Sequence, residues 1–180
     1  MQSDRVVEAT RQWLEKAVIG LNLCPFAKAV YVKNQVRIVV STAPHLDGLL
    51  EDLDRELVYL AHADPAEWET TLLVHPDLLA DFKDFNDFMQ LAEAAVDEHD
   101  LEGVLQIASF HPQFQFADTA PMDIGNYTNR APYPTLHLLR EASISKAIEA
   151  YPNTEAIYQR NIAVLQDIGI AGWEALWKTA

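Results

Sequence analysis

The groups in this chain that could do chemistry crowd between Ser109 and Glu141, which reads S-F-H-P-Q-F-Q-F-A-D-T-A-P-M-D-I-G-N-Y-T-N-R-A-P-Y-P-T-L-H-L-L-R-E. His111 carries an imidazole, the side chain that titrates near neutral pH and serves as acid or base. Asp118 or Asp123 would orient it. Asn126, Asn129, Arg130 and Arg140 are suited to a polar or anionic substrate, since a guanidinium holds carboxylate or phosphate through paired hydrogen bonds. His137 and Glu141 stand four residues apart, so on a helix they would share a face and join His111 in a two-His, one-carboxylate metal set. Cys24, followed by Pro25, would be a reactive thiolate if it capped a helix there.

Each of these groups also has a plainer use. His75-Pro76 and His111-Pro112 both follow apolar runs, and a proline there stops a strand and leaves the histidine to bond a nearby carbonyl. His137 and Glu141 would equally make an exposed ion pair, and the asparagines would serve their own loop backbone. Arg130 would pair with Asp118 or Asp123, and Cys24 would be a small buried hydrophobe. The six glycines form no phosphate-cradling motif, and no G-x-S-x-G elbow occurs.

The elements that must position these groups follow from periodicity. Residues 4–19 pattern as an amphipathic helix with Ser3 as N-cap. Residues 29–32 and 36–41 are β-branched runs compatible with a hairpin. Leu46, Leu49, Leu50, Leu53, Leu57 and Leu60 define a helix over 45–61. Strand 70–75, a helix carrying Phe82, Phe85 and Phe88, and strand 104–110 come next, in βαβ order. Residues 136–150 read as a helix, and Thr154 caps another that runs to about Ile168, before Gly169 and Gly172. The expectation is an α/β (or α+β) fold, a two- or three-layer sandwich with a mostly parallel or mixed sheet of four or five strands. No repeat, low-complexity tract or linker is visible, so residues 1–180 read as a single globular domain.

Composition narrows the function. Thirteen basic residues against 27 acidic give a net charge of −14, which disfavours nucleic acid and anionic membranes. No apolar run approaches a membrane helix, and M-Q-S-D-R-V-V-E lacks the pattern of a secretory signal. One cysteine fits a reducing, cytoplasmic compartment. A small-molecule ligand is the expected partner, with cofactor and oligomeric state unspecified.

Two stretches, G-L-N-L-C-P-F-A at 20–27 and the 109–141 segment above, resemble the hallmarks of an uncharacterised bacterial family catalogued as domain of unknown function 1415. The resemblance covers nearly the whole chain. It implies a complete single-domain protein in which Cys24 and the His111 loop are the signature positions. The family has no established activity, so the resemblance transfers no catalytic residue. A His/Asp/Arg enzyme, a non-catalytic binding module using the same loop, and a metal-dependent enzyme all stay open.

Overall fold

Four strands share one sheet in the computed structural model, which describes residues 2–178. They are β1 (Val36–Val40), β2 (Thr70–Val74), β3 (Leu105–Phe110) and β4 (Thr135–Arg140), in the order β1-β2-β4-β3. β1 and β2 pair in parallel, whereas β4 runs antiparallel to both β2 and β3. β3 therefore points the same way as β1 and β2, as the βαβ order requires, but β4 separates it from them. The mixed α/β architecture expected from the sequence is observed.

Side chains alternate across the sheet, so each face needs its own cover. Helices α3 (Leu46–His62) and α4 (Phe82–Glu98) cover one face, where Leu53, Leu57, Phe85 and Phe88 meet Leu73, Leu105, Leu136 and Leu138. The other face is covered by α1 (Gln2–Trp13) with its π-helical continuation Leu14–Ile19, and by α6 (Thr154–Ala175). There Val6, Trp13, Leu14 and Leu165 pack towards Leu72 and Val74. The result is three layers. α6 breaks at Gly169, whose φ of 60° lies in the left-handed region that glycine adopts without penalty. Beyond the break the chain stays helical, and Trp173 lies in the core.

Three local expectations are corrected. Residues 29–32 belong to a short helix, α2 (Ala27–Val32), not a strand; Asn34 at φ 56° ends it and turns the chain into β1. Ser3 lies inside α1 rather than capping it. The largest change is at 136–150: Thr135–Arg140 is a strand, and only Glu141–Ala150 is helical, as α5. Leucine favours helices locally, but the alternation of Leu136 and Leu138 with His137 and Leu139 suits a strand bonded on both edges.

A repeat absent from the sequence appears in the geometry. α3 and α4 are each 17 residues long and begin at Leu46 and Phe82; the same spacing separates His75 from His111. Each histidine follows a strand end, and each Nε2 donates to a carbonyl 32 residues earlier at 2.9 Å, Ala43 for His75 and Leu79 for His111. Each Nδ1 accepts from the turn that follows, Leu78 N–H at 2.8 Å and Gln113 N–H at 3.0 Å respectively. Both imidazoles thus tie one strand end to the loop that starts the preceding crossover helix. His111 is fully buried between the rings of Phe82 and Phe85. Replacing it with Ala leaves a buried carbonyl and N–H without partners and opens a void, so His111→Ala is expected to cost about 2–4 kcal/mol in urea unfolding. A loss below about 0.5 kcal/mol, the range of an ordinary surface substitution, would show that the clamp contributes nothing.

Candidate functional site

β3 and β4 are antiparallel neighbours, a relation that a loop of about two to five residues satisfies. Here residues 111–134 make the connection. Asp123 opens the 3-10 helix Ile124–Asn129 by accepting Gly125 N–H at 2.9 Å. Asn126 is fully buried; its Oδ1 accepts from Phe116 N–H and Thr119 Oγ1, both at 2.9 Å, and its Nδ2 donates to Ala120 O at 2.8 Å. Asn129 Nδ2 donates to Ser109 O at 3.1 Å. These side chains supply what a loop without ladder bonds lacks, partners for its own backbone.

Arg130 differs. Its guanidinium lies over the Tyr127 ring at 4.1 Å, donates from Nη2 to Pro121 O at 2.6 Å, and reaches Phe114 O from Nε at 3.4 Å. Among the described residues it forms no ion pair with Asp118, Asp123 or any other carboxylate. Of its five N–H groups, both on Nη1 and one on Nη2 remain without a protein partner.

The register of β4 separates residues that a helix would have joined. Glu141 N–H bonds Val104 O at one end of β3, whereas His111 follows its other end. The seven residue steps from Val104 to His111 span about 23 Å, too far for one metal ion. Among the described residues no three His, Cys, Asp or Glu side chains gather as a ligand set, so His111, His137 and Glu141 do not form one. Arg140 is at the Glu141 end too, donating to Ala63 O and Trp68 O at 2.9 Å each, and does not join Arg130.

His137 lies mid-strand, with Nε2 at 2.7 Å from Thr70 Oγ1. Thr70 gives its only hydroxyl proton to Leu138 O at 2.6 Å, so Nε2 must carry the imidazole proton and Nδ1 presents a lone pair. Desolvation pushes the His137 pKa down to about 4, so the ring is neutral at physiological pH. Burial also lowers the His111 pKa, against the opposing effects of the Leu79 carbonyl and Asp81; Arg130 adds to the lowering. Arg130 Nε reaches Phe114 O, and Phe114 N–H bonds His111 O at 3.1 Å, so the two residues meet on the same turn of the loop.

Cys24 is half-buried in the turn between the π-helical segment and α2. The α2 N-cap is Phe26, so Cys24 does not cap a helix with its thiol; its carbonyl accepts Ala27 N–H at 3.3 Å. The turn is tied to α6, where Asn161 Nδ2 donates to Leu23 O at 2.7 Å and Arg160 donates to Asn22 O. The 3-10 helix of the 111–134 loop packs on α6 as well, and Phe116 meets Tyr158 edge-on at 6.4 Å. The two signature segments therefore lean on the same stretch of one helix.

A family model described as "Protein of unknown function (DUF1415)" matches residues 5–175. The chain belongs to this family. No curated protein and no solved structure matches it. The match to DUF1415 runs through both signature segments and every sheet strand, so the arrangement just described is that of the family domain. No helix among the described residues is long and apolar enough to cross a membrane.

Two cavities lie elsewhere on this DUF1415 chain. One of about 530 Å³ opens between the start of α3 and α4, lined by Leu46, Leu79, Asp81, Asp84 and Leu91 among others. The other, about 290 Å³, runs along β1. Neither is lined by a residue of 109–141. Sequence reasoning missed Thr70, which nothing in T-T-L-L-V marks, and the Arg37–Glu56 pair. That pair joins β1 to α3 through bonds of 2.8 and 3.1 Å. Glu56 did carry a signal, since it interrupts the leucine stripe of α3 on its buried side.

The His137 geometry has a measurable consequence. In the unfolded chain imidazole titrates near about 6.5, so below that pH the unfolded state takes up a proton that folded His137 refuses down to about 4. Folding stability from this residue is complete above pH 6.5 and falls as pH drops, by about 3 kcal/mol at pH 4. Urea unfolding of wild type and His137→Gln across pH 4–7.5 isolates it. The difference between the two is expected to stay flat above pH 6.5 and to shrink below; parallel curves would refute a depressed pKa.

Proposed function

We propose that this protein binds a small anionic molecule at the 109–141 loop, with Arg130 as the anchor, in the cytoplasm. The observation that carries this reading is a rigid guanidinium with open donors. Stacking on Tyr127 and bonds to two loop carbonyls fix the plane of Arg130, yet no carboxylate among the described residues neutralises it in a chain of net charge −14. A carboxylate or phosphate would take the remaining N–H groups of Nη1 and Nη2 as a planar fork. The surrounding polar residues hold this arginine rather than the ligand, because Asp123, Asn126 and Asn129 already serve the backbone. A loop much longer than its topology requires is commonly a binding loop.

A second reading, a small-molecule enzyme, is favoured by one feature. Neutral His137, with its tautomer set by Thr70, offers Nδ1 as a fixed acceptor for a substrate proton donor. Cys24 would then contribute as nucleophile or pocket wall. His111 fits that reading less well, because both its ring nitrogens are bonded to main chain.

The test is a thermal-shift panel of phosphate, citrate, succinate and glycerol phosphate, followed by titration of any ligand found. A binder at about 100 times its Kd stabilises by about 2.7 kcal/mol, which should raise Tm by roughly 5–10 °C in a chain of this size. Arg130→Lys keeps the charge but loses the fork, so affinity is expected to fall about tenfold or more. A flat panel for the wild type, or undiminished binding by Arg130→Lys, would overturn the assignment.

A further inference from the structure

α3 and α4 follow the parallel strands β1 and β2, so they run side by side in one direction over one face of the sheet. Their inward side chains form the core, but the outer crease between them is left unfilled. There the 530 Å³ groove is walled by Leu46 from α3 and by Leu79, Phe88 and Leu91 from the α4 side. Leu46 is 42% and Leu91 50% exposed, so two leucines of one groove keep about half their surface in water. Single exposed leucines are ordinary; two that share a groove with Phe88 make a contiguous apolar patch, the mark of an interaction site.

The lining itself sets the sign of the charge. Asp81, Asp84 and Asp87 line the groove, and no lysine, arginine or histidine does. Asp81 is committed to capping α4, accepting Lys83 N–H at 2.8 Å and Asp84 N–H at 3.3 Å. The exposed carboxylates of Asp84 and Asp87 make no ion pair or hydrogen bond among the described residues. Lys83 and His45 adjoin the lining in sequence, yet neither neutralises it. Lys83 forms no ion pair among the described residues, and His45 Nδ1 caps α3 by accepting Gly48 N–H at 3.1 Å.

The groove is also preformed. Leu79 sits at φ 59°, a left-handed backbone that leucine rarely adopts, and its carbonyl is the one clamped by His111 Nε2 at 2.9 Å. Residues 84, 87, 88 and 91 of α4 follow at three- and four-residue steps, so both free carboxylates and the apolar pair share one helix face. From Phe82 to Leu91 that face rises about 14 Å, roughly two to three helical turns. Both walls are helices whose main chain is already bonded, so an extended segment would find no ladder to join here.

We propose that the crease between α3 and α4 is a docking groove for a basic amphipathic helix of a partner protein. The incoming helix lays an apolar stripe on Leu46, Phe88 and Leu91, and its flanking lysines or arginines meet Asp84 and Asp87. A second copy of this chain brings a net charge of −14 and is repelled. No residue of 109–141 lines the groove, so the proposal is independent of the Arg130 reading.

The test uses a fluorescein-labelled Leu-Lys peptide of about 14 residues whose leucines fall on one helix face, read by anisotropy against the full chain and mapped by amide chemical shifts. Binding is expected to shift the amides of Leu46, Asp84, Asp87 and Leu91 and to make the peptide helical by circular dichroism. Asp84→Asn with Asp87→Asn should weaken binding about tenfold, and Leu91→Ser by a similar factor. Glu93→Gln with Asp97→Asn removes the same charge from exposed positions of α4 outside the lining and should leave affinity unchanged. The charge pair stands as the readout if Leu91→Ser does not fold. The proposal fails if the Glu93/Asp97 pair weakens binding as much as the Asp84/Asp87 pair, which would mark attraction to the acidic field alone. It also fails if the wild type does not bind, if a peptide of equal composition with its leucines scattered around the helix binds as well, if shifts map away from the crease, or if sedimentation and Leu91→Ser show a second copy seated there.

Discussion

Everything in this molecule depends on one pairing, the insertion of β4 between β2 and β3. Without it β2 would have a bare edge in the middle of the sheet, and β3 would have no neighbour at all. β4 supplies hydrogen bonds to both, over five residue pairs with β2 and six with β3. Its Leu136 and Leu138 complete the core beneath α3 and α4, while His137 and Thr135 face the other layer. Because β4 runs back along β3, the chain must reverse after Phe110, and that reversal is the 111–134 loop. The two imidazole clamps belong to the same problem. His75 N–H bonds Pro134 O and His111 N–H bonds Asn129 O, so both strand ends are fastened to this connection.

A reversal of this kind needs few residues, and the surplus has to be held without ladder bonds. Gln115, Thr119, Asp123, Asn126 and Asn129 are used for that purpose, whereas Thr128 Oγ1 is buried without a partner among the described residues. Asn126 alone satisfies two donors and one acceptor of the segment 116–120. Trp13 reaches in from α1 to donate to Arg130 O at 2.8 Å, linking the loop to the first helix. Such spending on rigidity has a visible product, the fixed guanidinium of Arg130. Much of the polar motif is therefore spent on the loop's own backbone, which is a different arrangement from a cluster of groups converging on one point.

How far the sequence foretold this depends on whether local pattern or distant pairing decided each element. The leucine stripe from Leu46 to Leu60 and the phenylalanine stripe of α4 gave helices within a residue or so, because one-sided burial writes itself into period 3.6. The three apolar runs that became β1, β2 and β3 were equally plain. T-L-H-L-L-R was not, since leucine-rich segments suit both periods, and only bonding to two neighbours on either side settles it as a strand. That single misreading created the His137–Glu141 helix face and with it the metal set. The loop's position at a strand end was legible from His-Pro; which of its residues would be free was not, because that depends on hydrogen bonds between residues many positions apart.

The distribution of charge sets the terms on which Arg130 would meet an anion. In a chain of net charge −14, an anion is repelled at long range, and only local geometry can admit it. At about 0.15 M salt the screening length is about 8 Å, so the acidic helices α3 and α4 stop mattering within a turn or two of side chains. What remains is contact chemistry at the fork of Arg130, which no carboxylate among the described residues neutralises. On the proposed reading an anion at Arg130 would be selected by shape, since three directed donors discriminate where a field does not. The surrounding negative charge would hold off anions that cannot make those contacts, which is the physical reason such a position could be selective.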